Sequence, residues 1–253
     1  MRTLLNIAIT LLIMASCSFS YTQSNPDSKN ETDSRGRKQG FWEETSGQIK
    51  SAGFYRDDLK NGNWITYHPT GLVHLIESYY DGKKEGAIVE IDNRGYLISE
   101  AFYLNNQKHG VSKTYERGTR LLLEENYYQG VLDGTKKVFY SSGTLQEESN
   151  FDKGVKNGTS KWYNQNGELI AEYNYLGGKF EGIQKTYQGK GILLSEETYH
   201  DNIREGLYRE YFPSGKVKTE GSFKNNLKDG VWKEFDENGA VIKEIKFKEG
   251  IEK

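Results

Sequence analysis

The stretch from Gly206 to Gly230, GLYREYFPSGKVKTEGSFKNNLKDG, carries the reading of the whole chain. It opens on a glycine, runs through mixed apolar and polar residues to Tyr211, and breaks at Pro213-Ser214-Gly215. A second run, Val217 to Phe223, ends just before Asn226, and the next glycine stands 24 residues after the first. Both runs are too short for helices, rich in aromatic and β-branched residues, and closed by turn residues. That is the signature of a β-hairpin.

The same spacing extends in both directions. Gly40, Gly62, Gly86, Gly110, Gly134, Gly158, Gly182, Gly206 and Gly230 are 22 residues apart once and 24 apart seven times. Five residues past the anchor, from Gly62 on, stand Tyr67, Ile91, Tyr115, Phe139, Tyr163, Tyr187, Tyr211 and Phe235. Seventeen past it stand Tyr79, Tyr103, Tyr127, Phe151, Tyr175, Tyr199, Phe223 and Phe247. A second glycine sits nine past the anchor in most units, although the unit at Gly110 has Gly118 one place early and Thr119 in the slot. Twenty past the anchor the residue is always Gly or Asn, from Gly82 to Gly250, the two types that best tolerate positive φ. Strands are expected from about the second to the sixth position and from the tenth to the seventeenth. The expected fold is all-β: tandem hairpin repeats over residues 40 to 253 forming one elongated, twisted antiparallel sheet, because each unit packs only on its neighbours.

Runs such as Gly62-Asn-Trp-Ile-Thr-Tyr67 and Gly206-Leu-Tyr-Arg-Glu-Tyr211, each continuing to a second Gly, a Glu and an aromatic, resemble MORN-type repeats (membrane occupation and recognition nexus). The form resembled is the bacterial variant, often labelled YwqK-family antitoxin. The resemblance covers about five-sixths of the chain and implies successive hairpins in one sheet. It also implies a binding scaffold, and by its label an inhibitory or immunity-type role.

Composition agrees with many short strands: 18 Tyr and 28 Gly, with only 3 Pro. Lys plus Arg, 34, nearly balance Asp plus Glu, 36, so bulk charge argues for neither nucleic acid nor an anionic membrane. The sole cysteine, Cys17, excludes an intrachain disulfide framework. Met1-Arg2, the apolar run Leu4–Met14 and the small residues Ala15-Ser16 before Cys17 read as a secretory signal over residues 1–17, too short to span a bilayer. Met14-Ala15-Ser16-Cys17 resembles a bacterial lipobox, with Met14 where that motif has Leu. Cys17 is thus the candidate lipidation site, and cleavage near Ser18-Phe19-Ser20 with soluble export is the alternative. Residues 18–39 are polar and aperiodic and read as a flexible tether. The expected address is the bacterial cell envelope, with contact to the membrane through the lipid anchor only, or a periplasmic or secreted soluble state.

Fourteen past the anchor Glu recurs from Glu100 to Glu244, and three past it a basic residue recurs at Lys113, Lys137, Lys161, Lys185, Arg209 and Lys233. Equivalent carboxylates lie two strand spacings apart, roughly 9.5–10 Å, beyond the ~5–5.5 Å of a retaining glycosidase pair and at the edge of the inverting range. An active site is also unique within a chain, whereas this column repeats. The columns read as a cross-strand ladder on the solvent face, with a docking surface as the alternative. His68, His74, His109 and His200 fall at different positions within their units and show no metal spacing, although His68 and His74 flank one turn. No phosphate-binding loop, dinucleotide fingerprint or nucleophile elbow is present, so no catalytic residue, cofactor or metal is assigned.

The aromatic columns at positions five and seventeen read as a buried stripe. Position two holds Trp42, Trp64, Tyr208 and Trp232 towards the ends of the array, with Ile88 and then the polar Ser112, Lys136, Ser160 and Gln184 between, so that face is expected to be solvated in the middle. Trp42, Trp64, Trp232 and Tyr208 are then either caps on terminal units or candidate partner contacts. The function expected is a non-enzymatic scaffold for a protein partner, with a cell-wall or carbohydrate-binding module as the alternative.

Overall fold

The computed structural model describes residues 29–253, and within them there is no helix. The predicted signal, Cys17 and the first part of the tether lie outside the described residues. The chain falls into two compact units, one ending at Gln107 and one running from Lys108 to Lys253. In the first unit the strands Lys38–Ser46, Ile49–Arg56, Leu59–Tyr67, Val73–Tyr80, Lys83–Ile91 and Leu97–Leu104 pair antiparallel, each with the next. In the second unit the same succession leads from Arg120–Tyr128 through Val131–Phe139, Leu145–Asp152, Ile192–His200 and Ile203–Tyr211 to Val241–Lys248. The all-β hairpin repeat read from the sequence is therefore present in each unit.

Two kinds of turn alternate, for different reasons. At positions nineteen and twenty both residues have positive φ, as in Asp81 (48°) and Gly82 (77°), or Asn105 (51°) and Asn106 (67°). This is the type I′ geometry, whose twist matches that of the flanking strands. The turns at positions six to ten are longer and are closed by side chains. Asp92 Oδ1 accepts from the amides of Arg94 and Tyr96 at 2.9 Å each, and Asp236 and Asn164 repeat the arrangement. Amide bonding, chiefly from Tyr96, holds the Asp92 carboxyl below its ordinary value.

The anchor glycines are not turn residues. They sit with φ of 69–110° inside the first strand of each hairpin, which starts three residues before the anchor, as in Leu59–Tyr67 and Ile203–Tyr211. The register slips there, for example between Leu132 and Lys136 against Tyr127 and Glu125. A left-handed glycine at such a slip is a bulge, and it strengthens the local twist. Just before Gly158 and Gly182, at Asn157 and Glu181, the strand is interrupted outright.

The tether ends earlier than residue 39. Glu31–Thr32 pairs with Lys38 and Gln39, and Asn30 brackets Glu43, accepting from its amide at 2.8 Å and donating to its carbonyl at 3.2 Å. Asp33 accepts from the amides of Arg35 and Arg37, and the Arg37 side chain reaches Asp57 at 2.9 Å. These polar side chains supply the hydrogen bonds of the segment, and composition alone does not separate them from those of a solvated spacer.

Candidate docking surface

Alternation along the strands divides every column between two faces. Positions two, four, thirteen, fifteen and seventeen share one face with the basic residue two before the anchor. Positions one, three, five, fourteen, sixteen and eighteen share the other. The two aromatic columns are consequently on opposite faces, and nearly all their members are half-buried rather than forming one buried stripe.

The second position, expected to be wet in mid-array, is the most buried row in the molecule. Trp64 is 1% and Trp232 6% exposed, but so are the polar members buried: Ser160 at 0%, Gln184 at 3% and Ser112. This row runs along the midline of its face, and long side chains from the flanking columns lie over it. Lys156 Nζ stands 4.8 Å from the Trp162 ring and 5.2 Å from that of Tyr175, and it pairs with Glu147 at 2.9 Å. Burial pushes Glu147 up, but the Ser149 hydroxyl and Lys156 outweigh it and hold the carboxyl below its ordinary value. Gln184 meets its needs on the backbone of Asn174, accepting from its amide at 2.7 Å and donating to its carbonyl at 3.1 Å.

Of the residues named as partner contacts, Trp64 and Trp232 are packing residues. Gly53 and Gly221, on the preceding strands, leave room for them, since a Cβ on either would overlap the indole. Trp64 Nε1 donates to Phe54 O at 3.0 Å and Trp232 Nε1 to Ser222 O at 3.1 Å. Tyr208 is half-buried and stacks on Trp232 at 5.4 Å. Trp42 is half-buried against the N-terminal strand, donating to Glu31 O at 3.2 Å and Gln39 O at 3.0 Å. A lysine also covers each of the four tryptophans: Lys38 over Trp42, Lys60 over Trp64, Lys156 over Trp162 and Lys228 over Trp232, at 4.1–4.8 Å. This basic column, two before seven of the nine anchors, is visible in the sequence at Lys38, Lys60, Lys84, Lys108, Lys156, Arg204 and Lys228, with Leu132 and Phe180 in the other two, but was not among the expected functional columns.

The opposite face of the second unit carries the charge ladder. Lys113, Glu124, Lys137, Glu148, Lys161, Glu172, Lys185, Glu196, Arg209, Glu220, Lys233 and Glu244 stand directly opposite one another on consecutive strands, within hairpins and between them. Lys161 reaches Glu172 at 3.5 Å, and Arg209 reaches Glu220 at 2.7 Å and Glu196 at 3.7 Å. The tyrosines of position five close the row: Tyr187 Oη donates to Glu172 at 2.6 Å and Tyr211 Oη to Glu196 at 2.7 Å. Burial, then the facing carboxylate, pushes both phenols above their ordinary value. Beside the ladder, Val111, Ile183, Leu207 and Val231 are 38–46% exposed. Thr159, Lys161, Glu172, Asn174, Ile183 and Lys185 line a shallow concavity of about 510 Å³ at its middle.

His68 and His74 do meet, with ring centroids 4.3 Å apart, and both rings address Ile91 O, at 2.9 and 3.2 Å. Among the described residues no group of three or more His, Cys, Asp or Glu side chains is placed to hold a metal ion. Compared with known protein families, the chain is similar to the MORN repeat variant at residues 132–153, 156–176, 204–225 and 228–249. Each matched segment covers most of one hairpin of the second unit, beginning two residues before Gly134, Gly158, Gly206 or Gly230. Comparison with curated proteins gives no match.

Proposed function

We propose that this chain is a non-enzymatic repeat scaffold that docks a protein partner on the ladder face of its second unit. The observation that carries the reading is the row of alternating charges flanked by exposed Val111, Ile183, Leu207 and Val231. Ile183, Leu207 and Val231 stand on alternate strands, opposite Thr198, Ser222 and Lys246, so this face mixes exposed apolar residues with an ordered polar row, as interfaces do. Glu172 and Glu196, at the middle of the Glu column, are each held by a cation and a phenol, which favours a binding row over a pair of catalytic carboxylates. The carbohydrate-binding alternative needs open indole faces, and a lysine lies over every tryptophan.

The charged start, short apolar run and Cys17 support a working place at the bacterial envelope, exported and held by an acyl group on Cys17. The resemblance to antitoxin-labelled repeats supports an inhibitory or immunity-type role there. Crosslinking and pull-down from intact cells with the full chain tests the docking reading. One protein should be enriched with the wild type and lost when Lys161 and Arg209 are both reversed to Glu. Capture that survives the reversal, or recovery of wall fragments or lipid alone, would overturn it.

A further inference from the structure

We propose that the partner on the ladder face is a second copy of this chain, related by a two-fold axis that passes between the strands of Glu172 and Lys185. This rests on the docking reading above and names its occupant.

The ladder alternates in sign from one strand to the next, at a spacing of about 4.8 Å. A two-fold axis normal to the ladder reverses the order of its charges. An axis passing through a strand would set like charges against each other along the whole row. One passing between two strands sets every Lys or Arg against a Glu. Only the second is favourable, and of its placements the one between Glu172 and Lys185 halves the row, with six charges on each side.

Three local features mark the same place. The concavity lies there, lined by Lys161, Glu172, Ile183 and Lys185 among others. Lys185 stands opposite Glu172 and Glu196 in the register, yet it enters none of the ion pairs that its neighbours make. Glu172 is drawn to Lys161 and Tyr187 and Glu196 to Arg209 and Tyr211, so a cation is left over at the centre of the face. Ile183 is 46% exposed beside it, apolar surface that a facing copy would cover. Twisted sheets that pack face to face cross at about 30°, so contact falls mainly on the central strands. The axis then pairs Lys185 of one copy with Glu172 of the other, and Lys161 with Glu196, twice each. A shifted parallel copy would also match charges, but it would leave an open stack rather than a closed pair.

The test is a charge exchange read by sedimentation of the full chain under reducing conditions, which keep Cys17 from crosslinking copies. Lys185→Glu breaks no ion pair of the fold, although it sets a carboxylate beside Glu172 and Glu196 of its own sheet, and it sets Glu against Glu172 across the axis. Glu172→Lys sets Lys against Lys185. Each alone should weaken self-association at least tenfold, whereas an equimolar mixture, in which opposite charges face again, should return close to the wild type. Circular dichroism of each variant, together with rescue in the mixture, separates lost association from lost folding. A wild type that stays monomeric at tens of micromolar overturns the proposal. So does association that survives both substitutions, as edge-to-edge pairing or a contact through residues 1–28 would. A monomeric chain that still loses a captured protein on Lys185→Glu would overturn the second copy and leave the docking scaffold standing.

Discussion

The row that is charged in the second unit is apolar in the first. From Glu43 it passes through Ala52, Ile65, Ile76 and Val89 to Glu100, each directly opposite the next, where the second unit alternates Lys and Glu. The backbone follows one plan in both, with left-handed anchor glycines, type I′ turns and strands of mostly eight or nine residues, although two first strands of the second unit are broken beside Gly158 and Gly182. The repeat therefore fixes the path of the chain through its glycines and turns. Within a row most neighbours across strands match, apolar to apolar or cation to anion, the exceptions being Glu43 against Ala52 and Val89 against Glu100 where the apolar run ends. Surface chemistry is left free to differ between units. On the opposite face the units agree, each setting a tryptophan over a glycine, Trp64 over Gly53 and Trp232 over Gly221.

The shared feature carries the largest expected effect. Trp64→Ala and Trp232→Ala should each cost about 3–5 kcal/mol, because a buried indole and its hydrogen bond are lost and no neighbour fills the space. Denaturant unfolding gives the magnitude, and hydrogen exchange shows whether the loss stays within the unit concerned, as repeat architecture leads one to expect. A cost below about 1 kcal/mol at either site would show that the tryptophan–glycine pair is incidental there.

Next in size is a charge moved between the two kinds of row. Ile76→Lys places an ammonium between Ile65 and Val89 with no counter-charge, and on a half-buried face it should cost about 1–2 kcal/mol. Ile76→Leu, by contrast, should be close to neutral. A neutral Ile76→Lys would mean that rows tolerate any residue, and the contrast between the units would then say nothing about matching.

How much of this was legible follows the same division. The hairpin, its period and the left-handed twentieth position could be read because glycine and asparagine mark positive φ directly. Position nineteen has positive φ as well, at Gln129, Lys153 and Glu249 among others, but its mixed residue types carry no such mark. The anchor glycine was seen as a period and not as a bulge, since one sequence does not say which left-handed glycines turn the chain and which only slip its register. The paired ladder was legible from two columns of opposite sign. The buried second row was not, because polarity predicts exposure only when nothing else lies over the residue, and here Lys, Glu and Tyr side chains fold across Ser149 and Ser160. A signal did exist: Gly53 and Gly221 each stand eleven residues before a tryptophan of that row, a glycine spared for a large neighbour.

The smallest effect bears most directly on what the ladder is for. A double-mutant cycle on Lys161 and Glu172, 3.5 Å apart and partly exposed, should give a coupling of about 0.2–1 kcal/mol that shrinks with added salt. Such a value is too small for the ladder to be what holds the sheet together, since one tryptophan on the other face is expected to contribute several times more. The order of its charges is then better explained by what it faces than by what it stabilises. A coupling near 3 kcal/mol, insensitive to salt, would reverse that conclusion and make the charged row of the second unit a structural counterpart of the apolar row in the first.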